Sequence, residues 1–171
     1  MHSRGSDLQV SNGTMREQFK PLVGIDTPRR ENGEYHILDH RDLDRYKTNS
    51  PFKYNKITIN DGKYINASSI SIGQQENNLF IATQGPKDNT IEDFWTMVWE
   101  SKSKVIVMLT NLIEAEKIKC ENYWEEKMDK FEVNAKEVEK KDMYLLREIR
   151  LKNYQIKKKK NCISNSFYKM A

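Results

Sequence analysis

Residues 90–109 join the pattern of an amphipathic helix to that of a buried strand, and this pair constrains the fold most. Apolar side chains recur at helical spacing on one face, at Ile91, Phe94, Trp95 and Val98. Asn89 or Thr90 is expected to cap this helix, with Asp93 at the third position of a capping box. Residues 105–109 are continuously apolar, which is typical of a strand covered on both faces. A helix that leads into such a strand predicts an α/β sheet with crossovers.

Shorter patterns predict further elements on both sides of this unit. Strands are expected at residues 56–59, 64–70, 79–83, 131–134 and 143–153. The turn Asn60-Asp61-Gly62 suits a hairpin between the first two strands, because glycine admits a positive φ. Two short helices are predicted near residues 14–20 and 30–38.

The distribution of charge suggests how the chain is divided. The net charge is +4, but from Arg147 onward eight Lys or Arg residues stand against one acid, Glu148, which makes +7 there and leaves −3 elsewhere. We therefore expect a poorly ordered arm at 1–28, a folded domain at 29–156 and a basic tail at 157–171.

The basic tail contains a run of four lysines, Lys157, Lys158, Lys159 and Lys160. Such a run can contact an anionic membrane or a nucleic acid, but four lysines are few, so a solvated tail is the preferred interpretation. Binding that persisted after deletion of residues 155–171 would exclude a role for the tail.

Few other patterns point to a chemical site. The two cysteines, Cys120 and Cys162, have neither metal-binding nor disulfide spacing. His36 and His40 are four residues apart, but no third ligand accompanies them, so we expect no metal and no cofactor. The chain shows no signal peptide and no apolar run of membrane-spanning length, so a cytoplasmic location is expected.

Five segments occur in a characteristic order, namely RYKTNSPF, KYINASSI, FIATQGPKDNTIEDFWTMVWE, VIVMLT and KCENYW. Together they resemble the protein tyrosine phosphatase family, over roughly residues 30–160. The resemblance implies the N-terminal part of that family's α/β fold, a mixed twisted sheet with flanking helices. It also implies that the C-terminal catalytic half is lacking.

The resemblance implies roles for four residues as remnants of a site. Tyr46 matches the aromatic wall of the phosphotyrosine pocket, and Gln84 belongs to a Gln-Gly-Pro motif that supports the active-site loops. Glu114 matches the residue that holds the family's catalytic arginine, and Lys119 matches one at the rim of the site.

Four positions depart from the family pattern. Glu125 stands where the family normally has Pro after the Tyr-Trp pair. Asp44 stands where the family usually has Asn, and Lys63 stands where it often has an acid. Thr48 replaces the Asp that fixes the substrate backbone, which weakens the expected grip on a peptide.

The resemblance also shows which catalytic elements to look for. The family uses a Cys-x5-Arg phosphate loop, a Trp-Pro-Asp loop with the general acid, and a later Gln. The sixth residue after Cys120 is Glu126, and the sixth after Cys162 is Tyr168. No Trp-Pro dipeptide occurs, and no glycine follows Gly85. We therefore expect no catalytic residue in this chain.

The preferred interpretation is a truncated, inactive phosphatase homologue that acts, if at all, as a binding or decoy protein in phosphotyrosine signalling, with an unknown protein partner. Two alternatives stay open. One is an active phosphatase, whose hydrolysis of p-nitrophenyl phosphate Cys162→Ser would abolish. The other is a protein whose basic tail binds membrane or nucleic acid.

The lysine run also suggests an origin for the truncation. Its codons are adenine-rich and prone to slippage, so a frameshift is a hypothesis that the gene's downstream nucleotides would test. Shortened phosphatase copies of this kind are similar to those of polydnavirus-like genomes, which suggests the cytoplasm of an infected host cell.

Loss of the later half has an expected structural cost. In the family, the strand entering the Cys loop joins the central sheet, and helices of the later half cover one face. Without them, residues 105–109 should expose an apolar flank. We expect marginal stability or an obligate partner.

Overall fold

The computed structural model describes residues 40–46, 49–71, 79–125, 127–142 and 144–167. The arm at 1–28 and the two short helices predicted near 14–20 and 30–38 lie outside these residues. The described elements, in chain order, are β1 (Lys56–Ile59), β2 (Lys63–Ser71), β3 (Leu79–Thr83), a 3₁₀ helix (Asp88–Thr90), α1 (Ile91–Glu100), β4 (Val105–Met108), β5 (Ile113–Glu114), β6 (Lys117–Ile118), β7 (Phe131–Lys140), β8 (Tyr144–Asn153) and β9 (Lys158–Phe167).

The first sheet contains three antiparallel strands in the order β1-β2-β3. The first and last residues of β1 and β3 are those predicted, and β2 is longer than predicted by one residue at each end. The predicted hairpin turn is present, with positive φ at Asn60, Asp61 and Gly62. Gly62 has the largest φ, 127°, which residues other than glycine rarely adopt.

The second sheet has the order β4-β9-β8-β7 and is mixed. β4 runs parallel to β9, whereas β9 pairs with β8 and β8 with β7 in antiparallel fashion. A two-stranded ribbon, β5 with β6, lies in sequence between β4 and β7, two strands of this second sheet. The fold is therefore mixed, as predicted, although the described residues contain a single α-helix rather than several flanking ones.

Helix α1 carries the predicted apolar face into the core. Ile91, Phe94, Trp95 and Val98 are all buried, and the Trp95 indole N–H donates to the Tyr123 carbonyl at 2.8 Å. The rings of Phe94, Trp95 and Tyr123 pack within 6 Å of one another. This aromatic cluster fixes the helix beside the segment that follows β6.

The predicted capping box at the start of α1 is wrong. Thr90 is the N-cap, but its side chain makes no capping hydrogen bond to the helix. Its hydroxyl accepts instead from the Lys87 N–H at 2.9 Å. Asp93 pairs with Lys63 Nζ at 2.7 Å, so its carboxylate bridges the helix to β2.

The C-terminal strands are longer than the sequence pattern predicts. β7 continues to Lys140 rather than ending at 134, because it pairs with β8 from Phe131 to Lys140, with one bulge between Glu137 and Glu139. β9 occupies residues 158–167, for which the sequence predicts a basic tail and not a strand. It has partners on both sides, β4 and β8, so neighbouring strands impose the extended conformation that its own composition does not favour.

The apolar flank expected at residues 105–109 is present. Val105, Val107 and Leu109 are more than half exposed, whereas Met108 is buried. β4 is the terminal strand of the second sheet as described, so an apolar stripe borders an open sheet edge.

No helix among the described residues combines the length and apolar character needed to cross a membrane.

Candidate functional site

The segment that carries Tyr46 is held in place by the carboxylate of Asp44. Its Oδ1 accepts from the Tyr64 hydroxyl at 2.7 Å and from Asn66 Nδ2 at 2.9 Å, and its Oδ2 accepts from the Ser50 hydroxyl at 3.0 Å. Burial, together with the adjacent carboxylate, raises the pKa of Tyr64 well above its usual range. Asp44, one of the residues that depart from the family pattern, therefore anchors this segment to β2.

Arg45 joins the same segment to two other parts of the chain. Its guanidinium donates to the carbonyls of Gly85 at 3.0 Å, Ile118 at 2.9 Å and Pro86 at 2.6 Å. Its backbone N–H donates to Gln84 Oε1 at 2.8 Å. Since Gln84 Nε2 donates to the Leu43 carbonyl at 2.7 Å, both ends of this amide are used by the Tyr46 segment. Gln84 thus joins the segment that follows β3 to the Tyr46 segment.

The approach of the Gln-Gly-Pro motif to the segment after β6 requires a glycine. A Cβ at Gly85 would lie 2.4 Å from the Lys119 carbonyl oxygen and 2.9 Å from Cys120 Cβ. The Glu121 N–H donates to the Pro86 carbonyl at 2.9 Å on the same side. Backbone contact between the two segments therefore places Lys119 beside the Tyr46 segment.

Tyr46 and Lys119 form the exposed part of the site. Tyr46 is 43% exposed, Lys119 Nζ lies 3.3 Å from its hydroxyl oxygen, and the same nitrogen is 5.6 Å from the ring centroid. An ammonium at this distance is attracted to the ring and offers a positive charge beside it. The pair can receive an aromatic ring that bears an anionic group.

Glu114 does not join this pair. It lies in the β5–β6 ribbon, and its Oε1 accepts from the backbone N–H of Asn111 at 3.0 Å, which closes its own loop. Among the described residues, no arginine forms an ion pair with it. The structure thus brings together Tyr46, Gln84 and Lys119 and leaves Glu114 as a local brace.

Comparison with known proteins identifies the fold that carries this site. The family model described as protein-tyrosine phosphatase matches residues 40–169. The chain belongs to the protein-tyrosine phosphatase family. Receptor-type tyrosine-protein phosphatase zeta of Rattus norvegicus is 35% identical over 173 residues, which cover 90% of this chain and 7% of the relative.

Other members of the phosphatase family match shorter parts of the chain. Tyrosine-protein phosphatase non-receptor type 7 of Homo sapiens is 38% identical over 122 residues, covering 66% of this chain and 34% of the relative. Tyrosine-protein phosphatase non-receptor type 13 of Homo sapiens is 47% identical over 89 residues, covering 50% of this chain and 4% of the relative. The chain spans about a third or less of the length of these phosphatases.

Because phosphatases of this family use a cysteine, the state of Cys120 matters. Its side chain is buried and lines a cavity of about 170 Å³, beside Pro86, Phe94, Met108 and Tyr123. Burial raises the pKa of the Cys120 thiol to about 11, and the thiol donates to the Glu121 carbonyl at 3.3 Å. Cys120 is therefore a protonated thiol of the core at neutral pH.

Of the two histidines considered as metal ligands, the structure describes one, His40. His36 lies outside the described residues, and His40 stacks on Tyr64 with the ring centroids 3.6 Å apart. No group of three or more His, Cys, Asp or Glu side chains suited to a metal ion occurs in the described part of the chain.

Arg45 and Asp44 are the residues of the site whose roles the sequence did not indicate. A single arginine next to a tyrosine has no spacing that distinguishes it from a surface arginine. The available signal was chemical: an arginine and an acid flank a loop that carries Pro and Asn, in a chain whose Gln-Gly-Pro motif leaves carbonyls to be satisfied.

Proposed function

We propose that these 171 residues form a phosphatase-family domain that binds phosphotyrosine-containing peptides without hydrolysing them. The chemistry of the cysteines carries the proposal. Hydrolysis of this type begins when a thiolate attacks phosphorus. With a pKa of about 11, the Cys120 thiol is ionised in only about one molecule in ten thousand at pH 7, and it is buried.

Cys162 has an equally unsuitable setting for that chemistry. It lies opposite Ile149 in the register of β9 and β8, and residues 163–166 pair with β4 on the other side. Backbone N–H groups committed to two ladders are not available to cradle a phosphate. The sixth residue after Cys162 is Tyr168, so no arginine supplements the missing donors.

Binding rests on the exposed pair of Tyr46 and Lys119. A phosphotyrosine ring can stack on Tyr46 while its phosphate pairs with Lys119 Nζ, which lies 3.3 Å from the Tyr46 hydroxyl. The segment that carries Tyr46 is tied to β2 by Asp44. It is tied to the Gln-Gly-Pro motif by Arg45, which bonds to Gln84 and Pro86. One charge pair and one stacked ring support weak affinity, with a Kd on the order of 1 mM.

Peptide titration followed by NMR tests the binding. Tyr46→Ala and Lys119→Met should each weaken binding of a phosphotyrosine peptide, and the unphosphorylated peptide should not bind. Tyr54→Ala is the matched control, because Tyr54 is a more exposed tyrosine that stacks on Phe52 instead. Equal binding of the two peptides, or equal losses in Tyr46→Ala and Tyr54→Ala, would refute the proposed site.

A further inference from the structure

The turn between β8 and β9 presents a concentrated positive charge. β8 ends at Asn153 and β9 begins at Lys158, so residues 154–157 form the turn of an antiparallel hairpin. Lys157, Lys158 and Lys159 are all exposed. The lysines expected in a solvated tail are thus held at fixed positions on a hairpin tip.

The surrounding side chains do little to neutralise this charge. Lys159 lies directly opposite Lys152 in the register, and like charges in that position repel. The acid opposite Lys152 on β7, Glu132, already accepts from the Tyr154 hydroxyl at 2.6 Å, Asn134 Nδ2 at 3.3 Å and Lys152 Nζ at 3.4 Å. Within the described residues, no acidic side chain forms an ion pair with Lys157, Lys158 or Lys159.

An apolar side chain stands at the same tip. Ile156 is 49% exposed and directly precedes the lysines. Lysines beside an exposed aliphatic side chain match the surface of an anionic bilayer, where the ammonium groups meet headgroups and the apolar group enters the interface.

The aromatic residue of the turn argues against nucleic acid as the partner. Single-stranded nucleic acids are bound largely by stacking of bases on free aromatic rings. The Tyr154 ring is covered by Lys152, whose Nζ lies 4.7 Å from the centroid, and its hydroxyl is tied to Glu132. The tip therefore offers charge and an aliphatic group but no free ring.

We propose that Ile156 and Lys157, Lys158 and Lys159 form a contact site for anionic membrane surfaces. This hairpin-tip site is separate from the Tyr46–Lys119 pair and does not depend on the proposed function. Each lysine near such a surface strengthens binding about fivefold. Loss of all three should therefore weaken binding about a hundredfold.

Co-sedimentation of the full chain with lipid vesicles tests the site. The probes are phosphatidylcholine vesicles with and without about 30 mol% phosphatidylserine, at low and high salt. One variant carries Lys157→Gln, Lys158→Gln and Lys159→Gln. Its matched control carries the same three charge changes at the scattered exposed lysines Lys53, Lys104 and Lys136. Circular dichroism melting should be the same for both variants.

We expect salt-sensitive binding to the phosphatidylserine vesicles and no binding to the vesicles without it. The tip variant should lose it about a hundredfold, the scattered variant should keep most of it, and Ile156→Asn should reduce it. Failure to bind, equal binding to uncharged vesicles, or equal loss in both triple variants would overturn the proposal. Tighter binding of an oligouridine than of the vesicles would also overturn it, in favour of a nucleic acid.

Discussion

The two edges of the four-stranded sheet differ in how they meet solvent. At the β7 edge, charged side chains line the second half of the strand, and the pairing with β8 is interrupted by a bulge between Glu137 and Glu139. At the β4 edge, residues 105–109 contain no charge, and Val105, Val107 and Leu109 are exposed. Charges and bulges are the features that keep an edge strand from pairing with another chain. β7 is protected in this way, whereas β4 is open.

The difference between the two edges shows where this phosphatase-family domain exposes apolar surface. The Tyr46 side of the molecule is braced by five hydrogen bonds of Arg45 and Gln84. The β4 side presents apolar surface beside the cavity that Cys120 lines. The marginal stability or obligate partner expected from the sequence stays a prediction, and β4 is where such a partner would pair.

The largest effect on the free energy of unfolding should come from Phe131, at the buried start of β7. Phe131 is fully buried and packs against Trp99, with ring centroids 6.1 Å apart. Phe131→Ala should lower the free energy of unfolding by about 3–4 kcal/mol. Val107→Ala should change it by less than about 0.5 kcal/mol, because that side chain is exposed. Urea denaturation measures both, and similar losses in the two variants would contradict the assignment of an open β4 edge.

An open β4 edge predicts that two copies of the chain associate there, and charge at β4 but not at β7 should weaken this self-association. Val105→Lys combined with Val107→Lys should weaken self-association at least about tenfold, or ~1.4 kcal/mol, because lysines on an edge oppose strand pairing. The control is Val138→Lys, since Val138 on β7 is 58% exposed and Val107 is 52% exposed. Sedimentation velocity over a range of concentrations gives the comparison. An equal effect of Val138→Lys would show that the edges do not differ.

The smallest effect concerns pH at the β7 strand. Hydrogen bonds from Tyr154, Asn134 and Lys152 lower the pKa of Glu132 from 4.5 to about 2. A carboxyl whose pKa is lowered on folding adds stability above its unfolded pKa, and that stability is lost as pH falls. Between pH 4.5 and about 2, the wild type should therefore lose more stability than Glu132→Gln.

A matched substitution separates this effect from general acid denaturation. Glu116→Gln removes an exposed acid from the turn between β5 and β6. Acid titrations of unfolding should give parallel curves for Glu116→Gln and the wild type. A parallel curve for Glu132→Gln as well would show that the cluster around Glu132 adds nothing to stability.

Short-range sequence patterns predicted the elements whose conformation depends on neighbouring residues in the chain. The buried face of α1, the turn at Gly62 and the strands β1 and β3 follow from spacing and from backbone freedom, and the structure has them as predicted. β9 could not be predicted, because a run of lysines has little strand preference and only its pairing with β4 and β8 makes it extended.

The family resemblance proposed members of the candidate site, but the sequence did not indicate how they are connected. The family resemblance supplied Tyr46, Gln84 and Lys119, which the structure brings together. It did not indicate that Asp44 anchors the segment, or that Glu114 braces its own loop. Those contacts depend on which backbone groups are left unpaired after folding, and sequence spacing does not record that.

One phosphorus NMR experiment tests the central claim, that this phosphatase-family chain binds phosphotyrosine without hydrolysing it. The full chain is mixed with a phosphotyrosine peptide, and the spectrum is followed over time beside a buffer control. We expect the peptide phosphate resonance to shift on binding, while inorganic phosphate grows no faster than in buffer. Inorganic phosphate that grows in proportion to protein concentration, and stops growing in Cys162→Ser, would contradict the claim.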